Sequence, residues 1–163
     1  MKVVPVEEIP TLEKITDIPE DLLEVYKICK QMEKVCIDCS GIGLHAVQVG
    51  IPWNLFIVKT NDEFEYYVNC GYEPVGDEKT TSIEGCLSLL DEENNFRRFQ
   101  MVRHMVVKVS GSKLVRGEKD LTLVDFCENI HAENQGVVFQ HEIDHSLSVE
   151  GLISKLGKEI LIW

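Results

Sequence analysis

Gln140-His141-Glu142-Ile143-Asp144-His145 sets two histidines four residues apart with a glutamate beside the first. Positions i and i+4 share one face of a helix, so His141 and His145 can offer imidazoles to one metal ion if this stretch is helical. Glu142 then stands where it can reach a water on that ion as general base. The surroundings suit a helix. Between Glu128 and Leu147 the apolar residues Ile130, Val137, Val138 and Ile143 recur, with no proline and only Gly136 against it. Two free positions in five let HExxH arise by chance, so other residues must decide what it does.

A catalytic site of this kind takes a third protein ligand and leaves one position open. The extension HExxHxxGxxH is absent, because Ser148 and Gly151 stand where its Gly and His are required. Glu150 and Glu159 lie too close behind His145 to come from a separate downstream helix. Upstream, Glu84-Gly85-Cys86-Leu87-Ser88 places a cysteine after a glycine at the expected end of a strand, where backbone can approach a ligand closely. A thiolate with two imidazoles suits Zn or Fe(II). An isolated cysteine is more often a small buried hydrophobe, so this segment alone leaves both readings open.

The rest of the chain frames these segments. Asp17-Ile18-Pro19-Glu20 reads as a helix start, and Leu22, Val25, Cys29, Met32 and Cys36 continue at helical spacing to about residue 39. Trp53 to Val58 and Phe64 to Cys70 read as a hairpin, with further strands expected at Thr80 to Glu84, Met101 to Val109 and Leu121 to Asp125. The pattern is α+β, with mixed or antiparallel sheets around a central helix that carries HExxH. No repeat or composition shift divides residues 1–163, so one domain is expected.

Acidic residues outnumber basic ones 28 to 16, giving a formal charge of −12, a field that repels phosphate backbones. Nucleic acid is therefore not an expected ligand. No apolar run reaches the roughly 20 residues of a membrane-spanning helix, and the N-terminus has no signal-peptide core, so a cytoplasmic protein is expected. Its six cysteines should then be reduced. Cys36 and Cys39 have the spacing of a redox pair but sit at the end of a helix rather than at its start, which favours core and loop roles.

Gly41-Ile42-Gly43-Leu44-His45-Ala46-Val47-Gln48, Glu84-Gly85-Cys86-Leu87-Ser88 and Gln140-His141-Glu142-Ile143-Asp144-His145 together resemble the three motifs of the peptide deformylases, in that family's order. The resemblance implies that Cys86, His141 and His145 hold one divalent metal, Fe(II) in vivo with Zn, Ni or Co possible. It implies that Glu142 activates a metal-bound water against the formyl group of an N-formylmethionyl nascent peptide, releasing formate. The Gln48 amide and the Leu87 backbone N–H would stabilise the oxyanion. Backbone at Ile42, Gly43 and Gly85 would pair with the extended peptide, and Ile42, Val137 and Val138 would line the methionine pocket. Glu84 and Arg98 resemble the family's structural ion pair.

The chain departs from the family pattern at His45 and Val47, where Ala and often Pro are usual, and in the acidic loop Asp91-Glu92-Glu93. His45 is expected behind the ligands or on the surface rather than as a fourth ligand, since the open position serves water. Glu133, Asn134 and Gln135 place polar groups where the family's helix is often apolar. The short stretch after Gly151-Leu152-Ile153 resembles minimal or phage-encoded members, and with the acidic surface it predicts a monomer without stable ribosome docking. A general HExxH peptidase and a noncatalytic metal-binding fold are the competing readings. The first lacks its downstream ligand, and the second has no use for Glu142 and Gln48.

Overall fold

The computed structural model describes residues 1–5, 8–10, 14–90 and 96–147. Helix α1 spans Leu22–Asp38. Its cap is Asp21, whose Oδ1 accepts the N–H groups of Leu23 at 2.9 Å and Glu24 at 3.3 Å. The helix thus starts later than an Asp17 cap predicts, because Asp21 satisfies the free N–H groups of the first turn. Val25, Cys29, Met32, Val35 and Cys36 form its buried face, so Cys36 is a core residue as expected.

Strands β1 (Gly43–His45), β2 (Leu55–Thr60) and β3 (Glu63–Pro74) are followed by β4 (Lys79–Leu90), β5 (Phe96–His104), β6 (Val106–Arg116) and β7 (Leu121–His131). Five form one antiparallel sheet in the order β1-β2-β3-β6-β7, while β4 and β5 form a separate antiparallel pair. Leu55, Phe56, Ile57 and Val58 in β2 are all fully buried because both faces of the large sheet are covered. Leu55 and Ile57 pack into the cluster with Val25, Met32 and Cys36 of α1. Phe56 and Val58 point the other way, toward Phe139 and Ile143 of α2 (Gly136–Leu147). The helix that carries HExxH is therefore enclosed between the large sheet and the β4–β5 pair. The fold is α+β, as the sequence predicts. Among the described residues no helix is long and apolar enough to cross a membrane.

Two boundaries differ from expectation. The apolar run from Met101 to Val109 is two strands, since the chain breaks at Met105 to pass from the small sheet to the large one. The second helix begins at Gly136, not near Glu128, because residues through His131 extend β7 against β6. Ala132–Asn134 form a short turn and Gln135 takes a left-handed conformation, φ 77°. A Cβ on Gly136 would lie 2.7 Å from the His131 carbonyl oxygen, so the helix can start this close to the strand only at a glycine. Glu133 and Asn134 precede the helix and Gln135 turns away to bond the Lys59 carbonyl at 2.8 Å. The acidic loop 91–95 and the segment from residue 148 onward lie outside the described residues.

Candidate active site

Strand β4 and helix α2 bring together three buried candidate ligands, one thiol and two imidazoles. One donor atom from each of Cys86, His141 and His145 lies within 4.8 Å of the others, and Cys86 Sγ is 3.5 Å from His145 Nε2. The i, i+4 geometry holds, but Glu84-Gly85-Cys86-Leu87-Ser88 lies inside β4 rather than at its end. Strand alternation explains how this segment serves two surfaces. Glu84, Cys86 and Ser88 are buried on the inner face, while Gly85 and Leu87 line the cleft.

A charged clamp fixes the two elements. Arg103 on β5 donates from Nε and Nη2 to the two Glu84 oxygens at 2.7 Å each, and from Nη1 to Asp144 Oδ2 at 2.5 Å. The Tyr72 hydroxyl donates to Asp144 Oδ1 at 3.0 Å. Glu84 Oε2 also lies 2.8 Å from His141 Nδ1, which leaves Nε2 as the nitrogen that could face a metal. The expected Glu84–Arg98 pair is incorrect. Arg98 is registered opposite Gly85, on the other face of the pair from Glu84, whereas Arg103 shares the inner face. Arg98 instead lies over Gly85 at the cleft. Alternation along β5 was the signal that singles out Arg103.

Electrostatics follow from burial and these partners. Burial alone would raise the Glu84 carboxyl, but Arg103 and His141 hold it at about 2. Burial opposes charge on His141, yet Cys86 and Glu84 beside it push the ring up to about 10. The field that favours a proton there favours a cation equally. Burial, reinforced by His141, drives His145 well below its ordinary value and keeps it neutral, as a ligand must be. Glu142 is pushed up to about 7 by burial, with Glu84 adding to it, and its Oε2 has no hydrogen-bond partner among the described residues. One sulfur, two imidazole nitrogens and a free carboxylate oxygen beside them fit a borderline-soft divalent metal with an open position.

Gln48 reaches the same place from the short turn Ala46–Val49. Its Oε1 accepts the His45 N–H at 2.9 Å, so its Nε2 faces inward, donating to Cys86 Sγ at 3.4 Å and Ser88 Oγ at 3.3 Å. A cleft of about 320 Å³ opens above, lined by Ile42, Gly43, Gln48, Gly85, Leu87, Val137, Val138, His141 and Glu142, with Cys86 and His145 beneath. Cys39, Ser40, Ile83, Phe96 and Arg98 also line it, and sequence reasoning did not single these out as cleft residues. His45 is fully buried and is not one of the three converging ligands.

An antiparallel sheet covering a helix whose HExxH histidines meet a cysteine from a second sheet has the form of a mononuclear metallohydrolase. Over residues 2–152 the sequence matches the family model for polypeptide deformylase. The chain belongs to the peptide deformylase family, whose members are metal-dependent. It is 28% identical over 149 residues to a peptide deformylase of Agrobacterium fabrum, covering 85% of this chain and 78% of that one. Among solved structures, the fold resembles a probable peptide deformylase from synechococcus phage S-SSM7, with TM-score 0.67 and 24% identity over 95% of this chain and 99% of that one. It also resembles a Plasmodium falciparum peptide deformylase, with TM-score 0.73 and 18% identity over 96% and 86% of the two chains.

Proposed function

We propose that this chain removes the formyl group from N-formylmethionyl nascent peptides, with Cys86, His141 and His145 holding the metal and Glu142 as the catalytic base. The observation that carries the reading is the meeting of three buried ligand atoms within 4.8 Å beside the unpartnered Glu142 oxygen. A divalent cation there, Fe(II) by the family resemblance, would supply a Lewis acid that acidifies water and polarises the formyl oxygen. Glu142 takes the proton from the attacking water and returns it to the departing methionine nitrogen, so that formamide plus water gives formate and a free amine. A carboxyl near neutrality suits both transfers. The Gln48 Nε2 and the Leu87 backbone N–H donate to the oxygen that gains charge.

Gly43, Ile42 and Gly85 present backbone along the cleft, where an extended peptide adds as a strand without side-chain selection. Ile42, Val137 and Val138 give the methionine thioether apolar contact. One chain supplies every group, so a monomer suffices, and a reducing cytoplasm keeps the site thiol available.

The test is formate release from formyl-Met-Ala-Ser by protein purified anaerobically with Fe(II), beside Glu142→Ala. We expect turnover that disappears in the variant while the metal stays bound. Cleavage of internal peptide bonds, or full turnover in Glu142→Ala, would contradict the proposal.

A further inference from the structure

Six buried rings run in an unbroken row through the molecule. Tyr67 stacks on Phe56 at 5.3 Å between centroids, and Phe56 stacks on His45 at 6.2 Å with the planes 18° apart. His45 meets His145 at 6.2 Å, His145 meets His141 edge-on at 5.0 Å, and His141 stacks on Phe99 at 6.1 Å. His45 is the link between the sheet's aromatic core and the two histidine ligands. A residue as small as the alanine usual at this position in the family would leave that row broken. The same side chain caps the turn that carries Gln48, because its Nδ1 accepts the Val47 N–H at 3.3 Å while its backbone N–H bonds Gln48 Oε1. An Nδ1 that accepts puts the ring proton on Nε2.

We propose that His45 is a positioning residue, which holds the His145 ring in its ligand orientation by packing and the Gln48 amide in its inward orientation by capping. The His45 ring lies 6.2 Å from His145, tilted by 42°, and His141 meets the same ring at 71°, so both neighbours restrict rotation of that imidazole. The orientation of a metal-bound imidazole sets its overlap with the metal, and loss of the groups that fix it typically costs about 10- to 100-fold in affinity. The cap acts on Gln48 separately, through the backbone of the turn. The two effects therefore come apart under different substitutions: Phe keeps the ring and the backbone bond to Gln48 but loses the side-chain acceptor that fixes the turn at Val47, whereas Asn keeps such an acceptor and loses the ring.

The proposal rests on the reading of Cys86, His141 and His145 as metal ligands, and Co(II) affinity against a competing chelator, with the absorption spectrum of bound Co(II), tests it in the full chain. We expect His45→Ala and His45→Asn to lose about tenfold or more in Co(II) affinity with an altered spectrum, and His45→Phe to restore both. Deformylation at saturating metal should show lowered kcat with little change in KM for His45→Phe and recovery in His45→Asn. Wild-type affinity, spectrum and kcat in all three variants would make His45 a space filler and overturn its role alone. A wild-type chain that binds no Co(II) would overturn the ligand assignment, and this proposal with it.

Discussion

Gly43 leaves the Glu142 carboxylate its place: a Cβ built on Gly43 would lie 2.5 Å from Glu142 Oε1 and 3.0 Å from its carboxyl carbon. The obstructing atoms are the free end of a flexible side chain, so a larger residue is relieved by moving the carboxylate rather than the backbone. Gly43→Ala should therefore fold and bind metal normally while kcat falls by about 10²-fold, the scale of an ångström-sized misplacement of a reacting group. Melting curves, metal content and formate release check this together. An unchanged kcat would show that the base tolerates displacement.

Arg103 joins two buried carboxylates, Glu84 and Asp144, across the boundary between β4 and α2. Arg103→Met would leave both without their cation. Removing one partner from a buried ion network costs about 3–5 kcal/mol. The variant should melt far below the wild type and lose metal more readily, since Glu84 also holds His141. Denaturant unfolding and metal retention on a desalting column measure the two effects.

Gln48→Leu should lower kcat by about 10²- to 10³-fold with KM nearly unchanged, as expected on loss of a donor to developing oxyanion charge. Steady-state kinetics at saturating metal decide it. A rise in KM at constant kcat would instead assign Gln48 to ground-state binding.

His45 and His145, both lowered by burial, make acid oppose folding below pH 6.5, while Glu142, raised to about 7, acts in the opposite sense between pH 4.5 and 7. The His45 share is the one a substitution can remove. Burial lowers His45 from 6.5 to about 3 in the folded chain. At His45 the folded state then binds fewer protons than the unfolded state below pH 6.5, so this share of the stability is whole above that value. It falls as the pH drops, by up to about 1.4 kcal/mol per pH unit. Glu84, held at about 2 against an ordinary 4.5, adds its loss only below pH 4.5. His45→Phe should remove the His45 share, up to about 1.4 kcal/mol per pH unit, from the dependence of unfolding free energy between pH 6.5 and 4.5, leaving that of His145 and Glu142. Parallel curves for the two proteins would contradict the assignment.

The sequence disclosed the site more fully than the fold's boundaries, and the reasons are physical. His141, Glu142 and His145 share a helix, so their mutual geometry follows from 3.6 residues per turn, and the glycine beside Cys86 marked close approach. Arg103 was missed because its partners are far away along the chain and its identity depends on which face of β5 turns inward, a parity that Arg97 and Arg98 obscure. The helix start at Gly136 was missed because the apolar Ile130 serves β7 and helix patterns equally well. Asp21 was passed over for Asp17 because two acids four residues apart both precede an apolar stripe, and only backbone conformation chooses between them.

Cys86 and His145 meet across 59 residues, and Gln48 reaches Cys86 across 38. One helical turn sets His141 and His145 beside each other, but the third proposed ligand comes from a distant strand, so the full set cannot close locally as a metal-binding knuckle does. During its own synthesis this chain has no metal site until α2 has left the exit tunnel and packed against β4. An enzyme that acts on nascent chains thus has no site of its own until residue 145 has emerged, and binding of metal would report that α2 and β4 have met.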